Sequence, residues 1–299
     1  MTNPVIRPLA IEDLDGALAL STTAGWNQRR DDWRMLLRLA PAGSFAALAE
    51  ERIVGTAIGI DYGGFAWIAM MLVDPGYRGR GVGRCLLEAA MGAVPSDRPI
   101  RLDATPLGRP LYQRYGFEDE AMLTRHVISA AAPPPPRVRR LREPRDESSR
   151  VQRLTAADLK IVTRQDNEVF GGNRDEVLEW VLNTTPQYGH IVRSDDGLAH
   201  YCLGRQGRLF DQIGPVVAGD DDIAQALMNA ALTAGGGRPV VVDGFDSHST
   251  FTAWLRACGF QIQRPLFRMC RPSGQMASSV AGRNRPALVE FAILGPEFA

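Results

Sequence analysis

The stretch "VDPGYRGRGVGRCLLEAAM", Val73–Met91, decides the fold. An apolar strand, Trp67 to Val73, runs into Arg78-Gly79-Arg80-Gly81-Val82-Gly83, and a helix follows from Arg84 to Met91. Glycines let backbone amides approach a ligand closely. Amides at a helix N-terminus, aligned with its dipole, favour phosphate oxygens. The arginines add charge and fork-shaped donors. Together these residue types make a pyrophosphate cradle, for which Arg78, Gly79, Arg80, Gly81, Val82, Gly83 and Arg84 are the candidates. Two other phosphate loops are excluded. A Walker loop needs Gly-Lys-Ser/Thr, and a dinucleotide fold places GxGxxG after its first strand, whereas this loop follows the fourth.

Working outward, "VIRPLAIEDLDGALALSTTAG" reads as a strand, a turn and a helix, and "DDWRMLLRLAP" as a helix ended by Pro41. "SFAALAEERIVGTAIGIDYGGFAWIAMMLVD" reads as three strands, with turns near Glu51 and Gly63–Gly64. Beyond the loop and its helix come a strand "IRLDATP", a short helix "GRPLYQRYGF" and a last strand "MLTRHVIS". The order β-α-α-β-β-β-α-β-α-β predicts an α/β domain with a mixed sheet.

The clearest break is "AAAPPPPRVRRLREPRDESSR", Ala130–Arg150. Four prolines favour extended polyproline geometry, and the charges after them have no apolar periodicity, so the segment reads as a semi-rigid linker. A nucleic-acid patch in "RVRRLREPR" is disfavoured, because acidic residues interleave and no aromatic does. After the break a similar order recurs: strand and helix in "VQRLTAADLKIVTRQDNEVFG", three strands in "HIVRSDDGLAHYCLGRQGRLFDQIGPVV", then a helix, a strand, a short helix and a strand. "QRYGF" and "RACGF" occupy equivalent places, which indicates an internal duplication. The expected domains are residues 1–130, a linker at 131–150 and a second domain at 151–299. The apolar, strand-like tail "ALVEFAILGPEFA" is expected to be docked.

A length of 299 residues fits two domains of roughly 150 residues each. Lys+Arg and Asp+Glu are both 34, so no net charge steers the chain toward nucleic acid or an anionic membrane. The four cysteines form no CxxC pair and the four histidines are isolated, so neither a metal site nor a disulfide framework is expected, and a cytoplasmic location is. The start has no signal-peptide apolar region, and no run approaches the ~20 apolar residues of a spanning helix.

The loop resembles the phosphate loop of the GCN5-related N-acetyltransferase (GNAT) superfamily, Arg/Gln-x-x-Gly-x-Gly/Ala, matched by Arg78, Gly81 and Gly83. A second motif, Leu-Tyr-x-x-x-Gly-Phe, is matched by Leu111, Tyr112, Gly116 and Phe117. This resemblance covers roughly residues 4–130. The second half looks like a degenerate copy, as in bacterial two-domain acetyltransferases. There Asp220, Asp221 and Asp222 stand at the helix start in place of the loop, and Leu255 falls where Tyr112 falls. The implied architecture is tandem GNAT folds, each a mixed, mostly antiparallel sheet flanked by helices.

The resemblance implies transfer of an acetyl group from acetyl-CoA, as co-substrate and without a metal, to an amine of a small molecule or peptide. Acetyl-CoA would lie in a V-shaped opening between the fourth and fifth strands, with pantetheine against Met71, Leu72 and Val73. The Leu72 backbone amide would polarise the thioester carbonyl, and Tyr112 would protonate the leaving thiolate. Many relatives use a carboxylate on the fourth strand or its neighbour, and "FAWIAMMLV" has none, so Asp61 on the preceding strand and Asp103 at the end of "IRLD" are the base candidates, beside a water relay. Trp26, Asn27 and Trp33 are candidates for the acceptor site. Beyond acetyl-CoA and an amine acceptor, neither nucleic acid nor membrane is an expected partner, and the chain is read as a monomer or homodimer. The alternative reading is a CoA-binding sensor or interaction protein with little turnover.

Overall fold

A computed structural model of the chain describes residues 4–129, 151–195, 197–273 and 287–299. The segment read as a linker, 131–150, lies outside the described residues. The described residues divide into two compact units. The first takes 4–119, 268–273 and 296–299; the second takes 120–129, 151–195, 197–267 and 287–295.

The first unit contains β1 (Val5–Pro8), α1 (Leu14–Thr23), α2 (Arg30–Leu39), β2 (Ser44–Ala49), β3 (Arg52–Asp61), β4 (Ala66–Val73), α3 (Val82–Gly92), β5 (Ile100–Ala104) and α4 (Arg109–Gln113). Its sheet order is β1-β2-β3-β4-β5, antiparallel throughout except for the parallel β4–β5 pair. β4 reads as a nearly unbroken apolar run because it is buried on both faces. α3 lies unusually close to β3. A Cβ at Gly59 would come 2.6 Å from the Ala90 carbonyl oxygen, so only glycine fits there, and one at Gly55 would push Leu86 Cδ1, 2.8 Å away.

The second unit repeats the plan. It holds most of β6 (Glu118–Ile128), then β7 (Gln152–Arg153), α5 (Leu159–Phe170), α6 (Asp175–Thr184), β8 (His190–Arg193), β9 (Ala199–Gln206), β10 (Asp211–Ala218), α7 (Asp221–Ala234), β11 (Val240–Phe245), α8 (Ser249–Ala257), the first part of β12 (Gln261–Arg271) and β13 (Val289–Ile293). Its sheet order is β6-β11-β13-β10-β9-β8-β7. Helix α6 was not anticipated from the sequence. Its buried Val177, Leu178, Val181 and Leu182 fall on one helical face, and Pro186 follows its end. The apolar tail forms β13, which pairs with both β10 and β11.

The halves of the sequence do not map cleanly onto the units. In each half a long strand, β6 or β12, follows the short helix. β6 pairs along its length with β11 of the second unit, from Val240↔Ile128 to Phe245↔Leu123. Its Leu123 is fully buried and packs with Leu266, Ile293 and Phe245. Arg268 of β12, in turn, is grouped with the first unit and forks onto Asp103 of β5 at 2.9 and 3.0 Å.

Candidate functional site

The site is built around β4 of the first unit. The parallel ladder between β4 and β5 covers Ala66↔Ile100 and Trp67↔Arg101 among the described residues. Both strands continue, to Val73 and Ala104, so they part beyond Trp67 and the edge of β4 from Ala69 onward faces a widening gap. On its other side β4 is bulged. Thr56 pairs with Leu72 and Ile58 with Ala69, so Met70 and Met71 together stand opposite Ala57. Met70 takes a left-handed φ of 51°, a conformation that costs an L-residue roughly 1–2 kcal/mol. The Thr56 hydroxyl, fully buried, donates to the Met70 carbonyl at 2.8 Å and holds the bulge. The bulge re-aims the backbone of Met71 and Leu72 where the strands part.

The glycine-arginine loop follows directly. Asp74 caps the turn Pro75–Tyr77 by accepting from the Gly76 amide at 2.8 Å, and it accepts from Arg52 at 2.8 Å. The Arg52 hydrogen bond holds the Asp74 carboxyl below its ordinary pKa. Arg78 donates from Nε to the Val73 carbonyl at 3.0 Å, and the Arg80 guanidinium lies 5.3 Å from the Tyr77 ring centroid. Gly79 and Gly81 have φ of 75° and 80°, which glycine adopts without strain. Gly81 caps α3, whose hydrogen-bond ladder starts with the Cys85 amide donating to the Gly81 carbonyl. The amides of Val82, Gly83 and Arg84 precede that ladder at the positive end of the helix. Arg78, Gly79, Arg80, Gly81 and Arg84 are exposed. These residues fit a pyrophosphate. A cleft of about 180 Å³ joins Leu72, Val73, Asp74 and Arg78 to Leu20 and Thr23 of α1.

Tyr112 of α4 is 7 % exposed, and its ring lies edge-on to Phe117 at 6.0 Å. Among the described residues no hydrogen-bond partner is seen for its hydroxyl, and burial raises its pKa above the ordinary value of about 10. It is therefore a neutral O–H with a donor to give. Tyr115 differs: it is half-buried, and its hydroxyl donates to Glu88 at 2.5 Å.

The base candidates sit elsewhere. Asp61 accepts from the Gly63 amide at 2.8 Å and from Arg98 at 3.0 Å, as a turn cap and an ion pair. Its strand partner is Ala66, four residues and so about 13 Å along β4 from Met70. Asp103 has a fully buried side chain whose two oxygens are both taken by Arg268. The second unit repeats this pair: Asp243 of β11, also fully buried, receives Arg125 at 2.7 and 2.6 Å. An ion pair of the same form thus stands in both units, including the one without the loop, and it engages both oxygens of Asp103.

Of the expected acceptor residues, Trp33 is wholly buried and donates from Nε1 to Ser21 Oγ at 3.3 Å, so it is a core side chain. Asn27 is buried and Trp26 half-buried. Sequence reasoning missed Met70 and Thr56, since a left-handed methionine has no signature. It also missed the end of the chain in the first unit. There Trp67 Nε1 donates to the Pro296 carbonyl at 3.0 Å, and the Tyr62 hydroxyl donates to the Phe298 carbonyl at 3.1 Å.

In the second unit Asp220 caps α7 by accepting from the Ile223 amide at 2.8 Å. Burial, and then the charges of Asp220 and Asp221 beside it, raise the Asp222 pKa. A helix start that already holds three carboxylates repels a pyrophosphate. Leu255 replaces the tyrosine and is fully buried.

Residues 41–119 and residues 162–280 each match the pattern of an acetyltransferase (GNAT) domain. The chain is 26 % identical over 252 residues to the uncharacterized N-acetyltransferase YitH of Bacillus subtilis strain 168, covering 83 % of this chain and 85 % of that protein. It is 22 % identical to a holothin acyltransferase of Pseudoalteromonas sp. strain SANK 73390 over 90 % of this chain and 89 % of the other. A solved tandem GNAT protein from the clavulanic acid biosynthesis pathway superposes with a TM-score of 0.59 at 16 % identity, over 91 % of this chain and 99 % of that one. A GCN5-related N-acetyltransferase from Sphaerobacter thermophilus gives a TM-score of 0.63 at 14 % identity, over 92 % and 98 %. Two GNAT patterns in tandem, on a mixed sheet flanked by helices, make this chain a two-domain member of the GNAT acetyltransferase superfamily.

Proposed function

We propose that the first unit transfers an acetyl group from acetyl-CoA to an amine by direct attack. The observation that carries this reading is the conjunction in β4 of an open edge, a hydrogen-bonded bulge and an arginine-flanked helix start within a single stretch, Ala69–Arg84. The amides of Val82–Arg84, with Arg78, Arg80 and Arg84, would take the pyrophosphate. The open edge of Met71–Val73 would pair with the amide-containing pantetheine arm as a strand pairs with a strand.

The amide of Leu72, or of Met71 beside it at the bulge, polarises the thioester carbonyl and stabilises the oxyanion. The amine nitrogen attacks the carbonyl carbon, the C–N bond forms and the C–S bond breaks. Tyr112 gives its proton to the departing sulfur, for which a neutral phenol is the right form. The amine proton leaves through water, because Asp61 and Asp103 are both engaged in ion pairs.

A thiol-release assay with acetyl-CoA and a panel of small amines and peptides tests the reading. Thiol released in proportion to an amine supports it. Saturable CoA binding without amine-dependent thiol across the panel favours the sensor reading instead.

A further inference from the structure

The second unit contains the same splayed pair of strands as the first, and it is filled. β10 and β11 run parallel and pair at Asp211↔Val240 and Gln212↔Val241, as β4 and β5 do for two residues before parting. The bulge is also repeated: Ile213 pairs with Gly204 and Val216 with Cys202, so Gly214 and Pro215 stand opposite Leu203 as Met70 and Met71 stand opposite Ala57. Past that point β13 lies between the strands. It pairs antiparallel with β10 through Ala292, Glu290 and Val289, and with β11 through Ile293 and Ala292.

We propose that this gap is the second copy's acyl-donor slot, converted into a peptide-strand site that the chain's own residues 289–293 occupy permanently. The unit is then closed to CoA by occupation as well as by its aspartate-bearing helix start. A pantetheine arm is a chain of amides, and an extended peptide offers the same donors and acceptors to a strand edge.

Three contacts fit the slot to this one occupant. A Cβ at Gly214 would lie 1.9 Å from the Ile293 carbonyl oxygen, so only glycine lets the strand seat at the bulge. Glu290 accepts from Arg174 at 2.8 Å, and Arg174, itself buried, also forks onto Asp166 at 2.9 and 2.8 Å. Phe291 meets Phe251 of α8 edge-on at 5.5 Å and stacks on His248 at 4.0 Å. Gly244 adds the local geography: a Cβ there would be 3.6 Å from the Phe291 carbonyl and 4.0 Å from Leu255 Cδ1. Leu255 holds the place of Tyr112, so the tail crosses where the reacting end of a donor would otherwise be.

Hydrogen exchange on the full-length protein, with and without saturating CoA, tests this. The amides of 289–293 should be among the slowest in the second unit and should not move with CoA. In Gly214→Ala and Glu290→Ala they should exchange at least about tenfold faster. If either variant fails to fold, the wild-type readout stands alone. Fast exchange at 289–293 in the wild type overturns the proposal. So does CoA that slows Val216–Ala218 while speeding 289–293. The readout lies in the second unit, so it does not depend on whether the first unit binds CoA.

Discussion

Two buried polar groups in the first unit have opposite fates, and their environments decide which. The Tyr112 hydroxyl is desolvated and raised in pKa, so it stays protonated past neutrality. We expect Tyr112→Phe to lower kcat on the order of 100-fold while leaving the CoA dissociation constant nearly unchanged, by steady-state kinetics and titration. In the wild type no loss of rate assignable to this tyrosine should begin below about pH 10, because burial disfavours the phenolate. A tyrosine-dependent fall near pH 8 would contradict the assignment. Asp103 is the other case. Removing it strands the buried Arg268 guanidinium, so Asp103→Ala should cost roughly 3–5 kcal/mol in denaturant unfolding, and Asp243→Ala should behave alike against Arg125. A catalytic base would show the reverse pattern, a large rate loss at unchanged stability. Nothing near Asp103 in sequence announces this role, since its partner is 165 positions away.

At the scale of elements, the loop was legible and the bulge was not, for a physical reason. A left-handed turn before a helix start demands glycine, so Gly79 and Gly81 declare themselves by residue type. Met70 adopts its φ of 51° against its own preference, because Thr56 and the flanking strand pairs impose it. Tertiary forces of that kind leave no local trace. Helix α6 was different: its apolar face was present in the sequence and readable, and only the junction with α5 hid it. Thr56→Val keeps the shape and removes the hydroxyl that holds the Met70 carbonyl. It should destabilise the protein by about 1 kcal/mol and lower kcat more than it changes CoA affinity, since the loop is untouched. Equal rates with a relaxed bulge would show that the bulge does not position the reacting carbonyl.

The whole chain holds two GNAT patterns in tandem, and in the second unit the tail strand β13 pairs with both β10 and β11. The order of elements in the first half, and the loss of loop and tyrosine in the second, were readable from the sequence. The pairing of β6 with β11 and the fork of Arg268 onto Asp103 were not, because partners distant in sequence are not encoded by periodicity. These contacts bear on truncation. Residues 1–130 alone lack Arg268 for Asp103, the Pro296 carbonyl for Trp67 and the Phe298 carbonyl for Tyr62, and they carry β6 without β11. That fragment should aggregate or unfold without cooperativity, and a thermal transition as sharp and as high as that of the full chain would show that these contacts are dispensable. Acetyl-CoA is expected to bind once per chain, on the loop between β4 and α3. Calorimetric titration of CoA into the full-length protein and into Gly81→Asp tests it most directly, since that change puts a side chain at a φ of 80° and a negative charge where phosphate must sit. The titration should give one CoA per chain in the wild type and no measurable binding in the variant; undiminished affinity in Gly81→Asp, or two molecules per chain in the wild type, would overturn the assignment.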